Sequence, residues 1–101
     1  MSKMYGVKIV VPPELAAEKF GHVIEYISVM NEANVSIYIY RRNNEPTIYV
    51  TEKKKRCEFF YSKNMANVVS ESVKSEIINK YNDVDASRMK VVVFQEIVTN
   101  G

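Results

Sequence analysis

The residues of this 101-residue chain with the chemistry for catalysis or metal binding are few and scattered. His22 is the only histidine, with Glu18 four positions before it and Glu25 three after. On a helix the three share a face. A weak metal site or an acid–base pair would use that arrangement, but the simpler reading is a surface polar cluster. Cys57 is the only cysteine. Its place on a strand, with Phe59 and Tyr61 at the same parity, makes it a structural thiol, and adjacency to Arg56 along the chain is not enough to activate it. Asp83, Asp85 and Ser87 stand at positions 1, 3 and 5 of a calcium-loop spacing. Position 6 is Arg88 instead of glycine and position 12 is Phe94 instead of glutamate, so the stretch reads as a turn. The three glycines, at 6, 21 and 101, cannot build a phosphate-cradling loop. No serine lies in a nucleophile elbow. The expectation is a protein without catalytic residues, metal or cofactor.

The chemistry that remains is binding chemistry. The stretch EKKKRCEFFYS, residues 52–62, sets four consecutive cations before an apolar run. The net charge is only +2, but it is unevenly spread. Residues 41–56 hold six cations (Arg41, Arg42, Lys53, Lys54, Lys55, Arg56) against two acids. Residues 14–32 hold four glutamates against Lys19. One region is basic and another acidic, and that separation bears on partners more than the total does.

Composition and alternation define the scaffold. The chain is 47% hydrophobic and 26% charged, which is globular, and its length suits one domain over 1–101. A lone cysteine suits a reducing compartment. The N-terminal stretch is a poor signal peptide, because Lys8 and Pro12-Pro13 interrupt it. No run approaches the ~20 apolar residues of a membrane span. The expected location is the cytoplasm.

Residues 5–11 are β-branched and read as a strand. A helix over about 13–32 follows, with Leu15, Phe20, Val23, Ile24, Ile27 and Met30 at helical spacing. Residues 34–42 alternate with period two, NNEP (43–46) is turn chemistry, and 47–53 alternate again. Residues 56–62 read as a third strand of the same meander. Met65, Val69, Val73, Ile77 and Tyr81 predict a second helix over about 64–81, capped by Ser62 or Asn64. NDVDAS (82–87) reads as a loop. The closing strand, 89–98, is apolar on both faces at its centre, which predicts burial on both sides. The expected fold is an α+β two-layer sandwich of order β-α-β-β-β-α-β. Its mainly antiparallel five-stranded sheet would carry two helices on one face.

Parity then sorts the side chains. Val35, Ile37, Ile39, Ile48, Val50, Cys57 and Phe59 are expected under the helices. The other face would carry Tyr38, Tyr40, Tyr49 and Phe60, with Arg42 and Lys53 nearby and Val92 and Phe94 beside them. Such a face can stack unpaired bases while cations hold phosphates. It can equally pack against another copy, since tyrosine buries its ring and finds a partner for its hydroxyl.

The α-β-β-β-α order over 13–81 resembles that of double-stranded RNA-binding domains. With the first strand added it is similar to that of ribosome-hibernation factors. The most pointed match is SKNMAN, residues 62–67, against the Ser-Lys-Lys-x-Ala-Lys pattern of the former family. Ser62, Lys63 and Ala66 match, whereas Asn64 and Asn67 stand where the other two lysines belong. The resemblance implies shared topology, not the phosphate contacts of the missing lysines.

The sequence thus points to a small non-enzymatic nucleic-acid-binding protein, for RNA or DNA. Tyr38, Tyr40 and Tyr49 would stack bases, and Arg42, Lys53, Lys54, Lys55 and Arg56 would bind phosphates. The alternative is a homodimeric accessory or protein-interaction module, of a kind viruses and mobile elements carry, using the same aromatic face.

Overall fold

The computed structural model describes residues 2–24, 34–42 and 45–98. These form an α+β arrangement around a four-stranded antiparallel sheet. Strand β1 is Ser2–Val11, helix α1 Pro13–Phe20, β2 Val35–Tyr40 and β3 Tyr49–Thr51. A 3-10 turn at Lys54–Arg56 precedes helix α2 (Lys63–Lys80), a short helix α3 (Asp83–Ser87) and β4 (Lys90–Val98). The order across the sheet is β3-β2-β1-β4.

Local chemistry sets the boundaries. Pro12 and Pro13 end β1 and start α1, because a proline in the first helical turn loses no hydrogen bond. The Ser62 hydroxyl accepts the Met65 N–H and caps α2. Asn82 accepts the Asp85 N–H in the same way, so the stretch expected as a loop is a one-turn helix with an Asx cap. The helix predicted over about 13–32 stops at Phe20, because residues 21–23 form a turn; the rest of the predicted range, with Glu25, lies outside the described residues, as do Asn43 and Asn44 of the NNEP turn.

One continuous core lies between the sheet and the helices. Val7, Ile9 and Val11 of β1 and Ile37 and Ile39 of β2 are buried against Leu15, Ala16, Phe20, Ala66, Val69, Val73 and Ile77. The inward alternation predicted for β2 therefore holds. So does the placing of Ile48 and Val50, which pack partly buried against the same cluster.

The sheet departs from expectation in two places. First, residues 56–62 are not a strand, so the sheet has four strands instead of five. Beyond Lys8, β1 and β2 part, and residues 57–60 run through the gap. The Glu58 N–H bonds the Ile39 carbonyl at 3.0 Å, while Tyr5 and Phe60 exchange two backbone bonds at 2.8 Å. The chain must pass from the β3 edge to the helix layer, and it crosses here. A run of four cations is more easily hydrated on a turn than aligned beside a neighbouring strand. Without a strand the period-two parity fails. Cys57 lies against Gly6 on the face away from the helices, Phe59 packs edge-on to Phe94 there, and Phe60 joins the helix-side core. Tyr61 is 77% exposed.

Second, β4 is not central. It is an edge strand with alternating exposure, paired along its length to β1 alone among the described residues. Its apolar run Val91–Phe94 lies over the helix layer on one side and on the open sheet face on the other.

Gly6 shows how tightly that open face is built. A Cβ added there would lie 2.7 Å from the Phe94 ring and 3.0 Å from the Cys57 sulfur. Glycine is needed because an aromatic ring and a thiol both rest on the backbone. Gly6→Val is expected to cost about 1–3 kcal/mol in urea denaturation through overpacking. Phe94→Leu in the same background should return part of the loss. If the double variant is no more stable than Gly6→Val alone, Phe94 is not what meets the added side chain.

Candidate nucleic-acid interface

The register fixes which side chains share the open face. Tyr38 is opposite Thr51 on β3 and Lys8 on β1, and Lys8 is opposite Val92 on β4. Tyr40 is opposite Tyr49, and Gly6 is opposite Phe94. Directly paired residues project to one side of the sheet. Tyr38, Tyr40, Tyr49, Lys8, Val92 and Phe94 therefore form one surface, opposite α2.

The rings fall into two clusters. Tyr40 and Tyr49 stack with centroids 5.5 Å apart and planes 24° from parallel. The Arg42 guanidinium lies 4.4 Å over the Tyr49 ring. Contacts with Tyr40 and Tyr49 and the nearby Glu45 carboxylate hold Arg42 more firmly protonated than usual. The Tyr49 hydroxyl donates to Glu45 at 3.0 Å, and that bond raises its pKa. Tyr40, Arg42 and Tyr49 also border a cleft of about 380 Å³ whose other walls, with Phe20, Val73 and Ile77, belong to the helix side of the sheet.

The second cluster centres on Phe94. Tyr38 meets it edge-on at 5.7 Å and Phe59 at 5.9 Å. Lys8 and Lys54 place their ammonium groups 5.3 and 5.8 Å from its centroid. Lys54 also pairs with Glu96 at 2.7 Å, and that hydrogen bond raises its pKa. The cation-rich turn is thus folded onto the aromatic face, held there by Lys54. Lys53, Lys55 and Arg56 point into solvent and make no ion pair among the described residues.

Arg41 stands apart from this surface. Arg41 donates to both oxygens of Glu58, at 2.7 and 3.0 Å, and lies 5.6 Å from the Phe60 centroid. That fork ties the end of β2 to the crossing segment. Arg41 is therefore structural, and five of the six cations of residues 41–56 remain for binding. Phe60, expected on the aromatic face, belongs to the core instead.

Sequence reasoning missed Lys8 and Phe59. Lys8 was legible in principle, because its even position on β1 opposes the buried Val7 and Ile9. Phe59 was not, since its side is set by the crossing and not by alternation.

No family model, curated protein or solved structure matches this chain. The topology also weakens the resemblance to double-stranded RNA-binding domains, because the third strand of their meander is replaced here by a turn and a single bridge at Phe60.

Burial pushes the Cys57 thiol up, with backbone bonds to Val7 and Ile39 opposing. A buried, protonated thiol is a poor nucleophile. His22 is exposed on the turn after α1. Lys19 pairs with both Glu18 and Asp85, and Arg88 pairs with Glu14, so the acidic helix α1 is tied to the α3 region. No helix among the described residues is long and apolar enough to cross a membrane.

Proposed function

We propose that this is a small non-enzymatic, cytoplasmic protein that binds single-stranded nucleic acid on the open face of its sheet. The observation that carries this reading is the basic turn folded onto the aromatic surface, with Lys54 beside Phe94 and Tyr38. Rings stack on unpaired bases, and cations along the same face neutralise the backbone. Lys53, Lys55 and Arg56 are placed to follow phosphates past the Phe94 cluster. At the other end Arg42 serves the Tyr40–Tyr49 stack. Unpaired strands fit best, because a duplex hides the base faces that tyrosine would use.

A second reading has its own support. Around β4 the open face carries an apolar group, with Met4, Val10 and Val92 beside Phe94 on adjoining strands, between Lys90 and Glu96. Such a surface also suits a protein partner.

One titration separates the two. Fluorescence anisotropy with labelled single- and double-stranded RNA and DNA is repeated at several salt concentrations. Nucleic-acid binding predicts a preference for single strands and a log–log salt slope of about −2 to −3 for three or four phosphate contacts. Tyr40→Ala with Tyr49→Ala should then weaken binding by about 10-fold or more, since each stacked base contributes about 1–3 kcal/mol. Absence of binding at low salt would overturn the proposal and assign the face to a protein partner.

A further inference from the structure

We propose that β4 is a dimerisation edge, where a second copy of this chain adds its own β4 antiparallel through a two-fold axis at Val93. The inference does not depend on the nucleic-acid reading.

The two sheet edges differ in kind. The β3 edge is three residues long. The β4 edge is nine, Lys90 to Val98, free of proline and glycine and paired without interruption to β1 from Ser2↔Val98 to Val10↔Lys90. A long regular edge rich in β-branched residues is a template for another strand unless it is blocked.

The direction of the backbone groups that β4 leaves unpaired among the described residues follows from one pair of hydrogen bonds. Tyr5 exchanges both backbone bonds with Phe60, on the side of β1 away from β4. The alternation of an antiparallel ladder then turns the groups of Met4, Gly6, Lys8 and Val10 towards β4. Their partners Glu96, Phe94, Val92 and Lys90 use up their own groups in return. Val91, Val93, Gln95 and Ile97 are left with N–H and C=O pointing outward. An incoming antiparallel strand satisfies such a set.

The side chains choose both the occupant and the register. Lys90 and Glu96 lie on the same face, three positions either side of Val93. With the axis at Val93, Lys90 of each copy faces Glu96 of the other, and Val92 faces Phe94. Moving the axis to Phe94 would set Glu96 against Val92, and moving it to Val92 would set Lys90 against Phe94. Only the central register pairs these charges, and like charges are kept apart. In it the Glu96 carboxylate keeps Lys54 on one oxygen and offers the other to Lys90 of the second copy.

The helix side agrees. The same register brings Ile97, 56% exposed, opposite Met89 of the second copy. Met89 is itself buried and floors a groove whose walls include Ile78, Ala86 and Val91, and Ile78 is 66% exposed. Docking would cover both isoleucines. The strand is therefore complementary to itself in charge, backbone and apolar surface.

The test uses the full chain. Light scattering after size exclusion should give twice the 11.7 kDa chain mass. Lys90→Glu should weaken the dimer by at least ~10-fold, and adding Glu96→Lys should restore it. Hydrogen-bonded antiparallel partners have Cα atoms about 5.5 Å apart, within disulfide range. Val93→Cys should therefore cross-link to itself under mild oxidation. Gln95→Cys should not cross-link alone, but should do so when mixed with Val91→Cys. A wild-type protein that stays at monomer mass at the highest concentration reached overturns the proposal. So does a dimer in which Val93→Cys fails to cross-link.

Discussion

Ile37→Ala is expected to lower the free energy of unfolding by about 2–5 kcal/mol. Ile37 has no exposed surface, and its β1 partner Ile9 is equally enclosed. Removing three carbons there takes away the transfer gain and leaves a cavity between two central strands and α2. For a domain whose total stability is roughly 5–15 kcal/mol, such a loss is a large fraction of the whole. The informative comparison is Val92→Ala. Val92 lies on the opposite face, is 37% exposed, and should cost less than about 1 kcal/mol in the monomer. The two variants measured together by urea denaturation test the claim that stability resides on the helix side of the sheet. Equal losses would mean that the open face is covered in solution.

The helix-side core was the most legible part of the chain, because alternation and helical spacing agreed. Val7, Ile9, Ile37 and Ile39 repeat every second residue, and Val69, Val73 and Ile77 every fourth. Each pattern has one burial solution, and the two solutions face each other. Cys57, Phe59 and Phe60 had no such constraint. Their spacing resembles a strand, but their positions follow from a three-dimensional requirement, the passage of the chain between parted strands. Likewise, Val91–Phe94 is apolar on both faces for a reason alternation cannot specify. One side meets α2, and the other forms the open face, where the Phe94 ring lies over Gly6. The aromatic surface was legible as a set because Tyr38, Tyr40 and Tyr49 depend only on parity in strands that did form. What sequence could not supply was the position of the cations. Parity separates Arg41 from Arg42, but neither the Glu58 fork that locks Arg41 nor the fold-back that sets Lys54 on Glu96 and Phe94 is written in the local pattern.

That distinction determines the most informative functional variant. Lys53→Glu with Lys55→Glu and Arg56→Glu is expected to reduce nucleic-acid affinity by about 10–100-fold at low salt. It should flatten the log–log salt slope by about 2, since each lost contact to a single strand removes about 0.7. Lys54 is deliberately left in place. Its ammonium holds Glu96 and lies beside Phe94, so reversing it would set two carboxylates together and free the turn from the sheet. The three chosen residues are exposed and make no ion pair among the described residues, so thermal stability should change by less than about 0.5 kcal/mol per site. Arg41→Ala is the contrasting control. It leaves Glu58 without its fork and should lower stability while leaving the salt slope unchanged. A triple variant that binds as tightly as wild type, with the same slope, would mean that the cation-rich turn serves hydration alone. A slope reduced by Arg41→Ala as much as by the triple variant would mean that the fork to Glu58 opens when nucleic acid arrives. The phosphate path would then run along the end of β2 instead of over Phe94.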